Sequence, residues 1–153
     1  MLVVIIIKKQ HRIKTVRENI KKLPLFEAKN INDSLIKSDH ITSGPLIILF
    51  FHPDCEICQS EITILSSDPG LANCSVCLVS YATEDDCRQF ALQYIPENNQ
   101  NIEILIDSDY KLSEIFGLTA IPSFYLYGTD LNLIKSFIGP VSITTILKYL
   151  TDG

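Results

Sequence analysis

The chain has 153 residues, 46% of them hydrophobic and 20% charged, with a formal net charge of −5. A single domain of that size buries roughly 70% of its unfolded surface, which excludes extended disorder and makes disulfide staples unnecessary for folding. Charge is unevenly spread, with seven Lys or Arg against one Glu in residues 1–22 and six against seventeen acids in the rest. The acidic body excludes nucleic acid as a partner.

Residues 1–7 (MLVVIII) are apolar. A bilayer span takes about 20 such residues, and the basic start and cleavage site of a signal peptide are missing. Three readings stay open: the tail of a membrane anchor that begins before Met1, a short interfacial anchor, or an extra strand or oligomer contact. The basic residues that follow favour anionic lipid by about 1 kcal/mol each near the surface, although a basic cluster prefers the cytoplasmic side. Ile13, Val16, Ile20 and Leu23 recur at three and four, predicting an amphipathic helix over 12–23 that Pro24 closes. The chain therefore divides into an N-terminal segment, 1–23, and a domain, 24–153. Residues 25–29 read as an edge strand, followed by the turn Asn30-Ile31-Asn32-Asp33 and a loop through the exposed His40.

Six apolar residues, 46–51, then read as a strand buried on both faces. The chain turns at His52-Pro53, and Asp54 is the expected N-cap of a helix over 54–65. Cys55 then takes the first helical position and Cys58 stands one turn later on the same side, within bonding reach. The helix N-terminus favours the Cys55 thiolate by about 0.3 to 1 kcal/mol, which makes Cys55 the nucleophile. Asp54 and Glu56 oppose it, so a reducing or isomerising couple is expected rather than a strong oxidant.

Further along, 76–81 is a second buried strand, and Thr83 caps a helix with Cys87, Phe90, Ala91 and Tyr94 along one side. Residues 102–106 form a third strand, and Leu112, Ile115 and Phe116 mark a short helix ending at Gly117. Strands at 124–127 and 133–138 make an antiparallel hairpin, and a last helix starts near Ser142.

The run strand, Cys55-Glu56-Ile57-Cys58, helix, with Glu61 three residues on and Ile121-Pro122 before a later strand, resembles the thioredoxin-like thiol-disulfide oxidoreductases. The likeness is to the membrane-tethered TlpA/ResA branch of the AhpC/TSA-redoxin superfamily. It implies an α/β fold, a thioredoxin-like three-layer α/β/α sandwich with a mixed central sheet. It also implies reduction or isomerisation of protein disulfides by a redox-active Cys55–Cys58 pair without a cofactor. Glu61 would handle protons behind the thiols, or be an exposed helix carboxylate. Pro122 would be cis and lie against the pair, with Ile121, Pro122 and His52 meeting the substrate. The implied partners are a disulfide-containing protein substrate and a thiol electron donor protein. The implied location is the bacterial cell envelope on its periplasmic side, with membrane association through residues 1–22; the alternative is cytoplasmic. The sequence departs from the family in having no Trp before Cys55, Glu56-Ile57 between the cysteines, and Leu49 where thioredoxin proper has a buried Asp.

Two other readings compete. Cys55-x2-Cys58-x15-Cys74-x2-Cys77 meets the template for a four-thiolate zinc site, which would make the chain a non-catalytic metal-binding module. Against it, Cys77 falls within a buried strand, and the bland account of Cys74, Cys77 and Cys87 is that they pack as small hydrophobes. A thiol peroxidase of peroxiredoxin type would place Thr or Ser three residues before its cysteine and Pro seven before, where this chain has His52 and Ile48.

Overall fold

The computed structural model describes residues 1–41 and 44–152. The strand that leads into the cysteines is β3 (Leu46–Phe50), every residue of which is buried. It runs parallel to β4 (Ser75–Ser80), which runs parallel to β5 (Ile102–Ile106). On the other side β3 pairs antiparallel with β6 (Ser123–Tyr127), and β6 with β7 (Leu133–Ile138). Beyond β5 come β1 (Glu27–Asn30) and β2 (Leu35–Lys37), both antiparallel, giving a seven-stranded mixed sheet in the order β2-β1-β5-β4-β3-β6-β7.

Side chains alternate across this sheet with the period of two that a pleated strand imposes. Ile47 and Leu49 of β3, Val76 and Leu78 of β4, and Phe124 and Leu126 of β6 face one core. That core is closed by α2 (Glu56–Ser67), α3 (Glu84–Tyr94) and α5 (Ile143–Asp152) through Ile62, Leu65, Phe90 and Ile146. Leu46, Ile48, Phe50, Cys77, Val79, Tyr125 and Tyr127 face the other core, closed by Leu112 and Phe116 of α4 (Lys111–Phe116). The expected three-layer sandwich is the one observed. The run 46–51 is continuously apolar because both of its faces are covered.

The N-terminal helix is longer than its amphipathic pattern. It forms α1 (Leu2–Asn19), with no buried residue, so residues 2–7 are helical and the extra-strand reading of them is wrong. Its far end is the part held to the body. Ile20 is buried, its carbonyl accepts from the Tyr127 hydroxyl at 3.0 Å, and Leu23 N–H donates to Leu131 O at 2.9 Å. Val16 rests where a Cβ on Gly117 would stand 2.8 Å from it, and Gly117 has φ +63°, so glycine there answers both a left-handed helix end and a close approach.

A second correction concerns the segment before β3. The strand expected at 25–29 is not the edge; β1 lies between β5 and β2, and the edge strand is part of what was expected to be loop. Asn30 explains the difference. Its side-chain oxygen accepts from Asn32 N–H and Ser34 N–H, both at 2.9 Å, which folds the chain back on itself. Ser38 continues the pairing by accepting from Phe26 N–H at 2.9 Å through its Oγ.

Candidate active site

The site begins where β3 leaves the sheet. Phe51 N–H still donates to Val79 O at 3.0 Å, and the Phe51 ring packs on Phe90 with centroids 4.8 Å apart. The chain then turns, with Cys55 N–H donating to His52 O at 3.0 Å and Gln59 Nε2 to Pro53 O at 2.7 Å. Turn and helix are thereby tied together directly under the thiols.

The helix start differs by one residue from the expectation. Cys55 itself is the N-cap, with extended backbone (φ −85°, ψ 105°), and its sulfur accepts from Cys58 N–H at 3.2 Å. Asp54 is not the cap. Its side chain is 94% exposed, while its N–H donates to His52 Nδ1 at 3.2 Å. The sulfur thus occupies the place usually taken by a capping oxygen, on the axis of the free N–H groups at the positive end of α2. The helix also runs two residues past the expected end, to Ser67.

Cys55 and Cys58 are joined as a disulfide, with their Cα atoms 5.2 Å apart. The two sulfurs differ in access, because Cys55 is half-buried and Cys58 is 0% exposed beneath it. Pro122 is buried and cis, as the resemblance implied. The pairing of Phe50 with Ser123 puts Pro122 level with Phe51, at the strand end that carries the cysteines. Ile121 and Cys55 pack against the same core. Glu61 is half-buried one turn beyond Cys58, and burial pushes its carboxyl up from the ordinary value against the opposing effect of the Val141 backbone amide. His52 packs against Tyr81 with the rings tilted, centroids 5.3 Å apart. Tyr81 was read only as the end of a strand. Its place at the C-terminal edge of a parallel strand, where ligand crevices form in α/β sheets, was the available signal.

The other cysteines do not join this group. Cys74 lies in the core under α2, whereas Cys77 lies in the core on the opposite face of the sheet. Desolvation pushes both thiols up to about 12 and raises that of Cys87 as well. All three are free and buried. The four sulfurs of the zinc template are therefore split between two faces, and the template is met in sequence without convergence in space.

The AhpC/TSA family model matches residues 20–136. No curated protein matches the sequence. Among solved structures, the chain is similar to MTB dsbF in its mixed oxidized and reduced forms, with 19% identity, 83% of this chain and 93% of that one covered, and a TM-score of 0.72. It is also similar to a secreted Mycobacterium tuberculosis disulfide oxidoreductase homologous to E. coli DsbE, at 18% identity, 88% and 98% coverage and a TM-score of 0.71. The exposed lipoprotein thioredoxin Etrx1 of Streptococcus pneumoniae strain TIGR4 follows at 17% identity, 84% and 98% coverage and a TM-score of 0.66. At these identities the likeness establishes the thioredoxin-like fold.

Proposed function

The chain belongs to the AhpC/TSA family, and we propose that it is a thiol-disulfide oxidoreductase that reduces or isomerises disulfides in partner proteins through Cys55 and Cys58. One observation carries the reading. A disulfide closed within one helical turn joins a sulfur that a partner can reach to one that it cannot.

In the reduced protein, the Cys55 thiolate attacks one sulfur of a substrate disulfide. The Cys55–substrate bond forms, the substrate S–S bond breaks, and the released substrate thiolate takes a proton from solvent. Cys58 then gives its proton to Glu61 or to water and attacks the Cys55 sulfur. This frees the second substrate thiol and leaves the Cys55–Cys58 disulfide. Two electrons have passed to the substrate, and a thiol electron donor protein returns them by the reverse exchange. Burial of Cys58 restricts it to the resolving step, because only a sulfur already bonded to Cys55 comes within its reach. The raised Glu61 carboxyl supports its assignment as proton acceptor, being poised closer to neutrality than an ordinary glutamate. Pro122, Ile121 and His52 would bound the groove into which the substrate chain lies.

The site is proposed to work at the cell envelope, on the periplasmic side of a bacterial membrane, with residues 1–22 as the attachment. Support comes from solvent exposure of all of residues 2–7 on α1, followed directly by lysines and arginines. No helix among the described residues is long and apolar enough to cross a membrane. Relatives described as secreted or as an exposed lipoprotein favour the same compartment. The chemistry is tested by insulin reduction in dithiothreitol. The protein is expected to bring on precipitation of the free B chain well before reductant alone, and a Cys55→Ser protein that accelerates it equally would refute the reading.

A further inference from the structure

The chain after α1 is pinned to the turn between β6 and β7. Leu23 N–H donates to Leu131 O at 2.9 Å, and Leu133 N–H donates to Lys21 O at 2.7 Å. That turn lies at the end of β6 opposite Pro122. From there α1 runs back along the sheet toward the Pro122 end. Val16 rests on Gly117, and Lys9, Arg12 and Ile13 border one groove with Leu118 and Ile138. Ile138 is the β7 partner of Ser123, the residue after Pro122. At 1.5 Å per residue α1 advances about 16 Å from Ile20 to Lys9, against about 13 Å for β6 from Tyr127 to Ser123. Lys9 is therefore level with the end of the sheet that carries Cys55, and residues 2–8 project about 10 Å beyond it.

The projecting tip is apolar on every side. Residues 2–7 each leave between 46% and 73% of their surface in solvent, and six consecutive positions exceed one full helical turn. A groove on another protein, or on a second copy, would cover one stripe of such a helix, whereas hydrocarbon covers all of it. The tip's length also matches the depth of about 5–10 Å to which apolar helix faces enter the boundary between headgroups and acyl chains. Behind it Lys8, Lys9, Arg12, Lys14 and Arg17 are all exposed, with no acid among residues 8–17. Each of them attracts an anionic surface. Asp54 and Glu56, exposed on either side of Cys55, keep the site itself out of such headgroups.

We infer that α1 sets residues 2–7 into an anionic lipid surface and turns the Cys55 end of the domain toward the membrane, so that the disulfide exchanged there is one held close to the bilayer on a membrane-bound protein. The inference rests on the disulfide-exchange and attachment readings and adds an orientation, and with it a class of substrate. The Pro122 end of the sheet stands no more than about 10 Å from the headgroups, the length of the projecting tip.

The test uses the full chain, pre-reduced, and phosphatidylcholine vesicles with and without phosphatidylglycerol. The vesicles carry a lipid-linked disulfide either directly on the headgroup or at the end of a long poly(ethylene glycol) spacer, and bis(2-hydroxyethyl) disulfide serves as the free substrate. The protein is expected to cosediment with anionic vesicles about tenfold more strongly than with neutral ones at low salt. Bound protein is expected to reduce the headgroup-linked disulfide at least as fast as the spacer-linked one. Ile5→Glu combined with Ile6→Glu should weaken cosedimentation about tenfold and slow reduction of the headgroup-linked disulfide with it. Bound protein that reduces the spacer-linked disulfide faster contradicts the orientation. Equal or absent binding to the two vesicles, self-association in place of binding, or binding that the double variant keeps also overturns the inference. Turnover of the free disulfide in any of these cases leaves the exchange reading standing, whereas no turnover of any of the three disulfides overturns both.

Discussion

The pair at the start of α2 and the cysteines of the strand region contain the same functional group and differ in everything that governs its reactivity. Cys55 stands at a helix N-terminus with one side open, whereas Cys74 and Cys77 are desolvated in the sheet's two cores and their thiols are pushed up to about 12. At pH 7 a thiol of that kind is ionised in about one molecule in 10⁵. Only the thiolate is nucleophilic, so placement alone makes one region reactive and the other inert. Cysteine count and spacing, which produced the zinc template, carry none of this information.

The comparison is broken most directly by exchanging one member of each region. Cys55→Ser is expected to lower disulfide exchange by at least about 1,000-fold, since the attacking thiolate is gone. Cys58→Ser should keep the first step and accumulate a covalent substrate adduct on non-reducing gels. Equal trapping by both variants would contradict the order of attack. Cys77→Ala, in the buried region, should cost about 1 to 2 kcal/mol in denaturant unfolding through the cavity it leaves, while exchange stays at the wild-type rate. Lost exchange without lost stability would show that the interior cysteine takes part after all.

Two smaller effects sharpen the contrast. Because the folded-state pKa of Glu61 is raised, its carboxylate becomes available as acceptor only above the ordinary glutamate value. Single-turnover resolution should therefore fall off on the acid side at a pH above that value, and Glu61→Gln should remove this limb and slow the step about tenfold at neutrality. An unchanged pH profile in the variant would return Glu61 to the status of a helix carboxylate. For Cys74 and Cys77 the folded pKa is raised from 9.0 to about 12, so the stability associated with their protonated thiols is complete below 9 and drains away between 9 and 12. Unfolding free energy is expected to decline with a limiting slope of about 1.4 kcal/mol per pH unit per thiol, and Cys77→Ala should flatten it. The buried tyrosines join above pH 10, so the window from 9 to 10 separates the two contributions.

The two regions also differ in how well the sequence displayed them. Strands buried on both faces announce themselves as apolar runs, which is why β3, β4 and β5 and the helices between them were readable in order. Thr83 does cap α3, accepting from Asp86 N–H, because a hydroxyl before three acids leaves few alternatives. The β1–β2 hairpin was not readable, since its edge strand has three residues and its turn is organised by the Asn30 side chain. The identity of the cap on α2 was missed because Asp54 is the stronger capping residue in general. Only the pull of the sulfur toward Cys58 N–H, a matter of three-dimensional position, gives the role to Cys55. The opposed faces of Cys74 and Cys77 likewise follow from where β4 starts, four residues after Leu71, and spacing templates do not register a change of face.

The central claim is that two sulfurs out of five are built to exchange. It is tested most directly by alkylating the oxidised, folded protein and locating the label by mass spectrometry before reduction, after mild reduction, and after reduction in denaturant. The expected result is no label at first, then Cys55 ahead of Cys58, and Cys74, Cys77 and Cys87 only once the chain unfolds. Label on the three interior cysteines in the folded protein, or on Cys55 and Cys58 before any reductant is added, would contradict it.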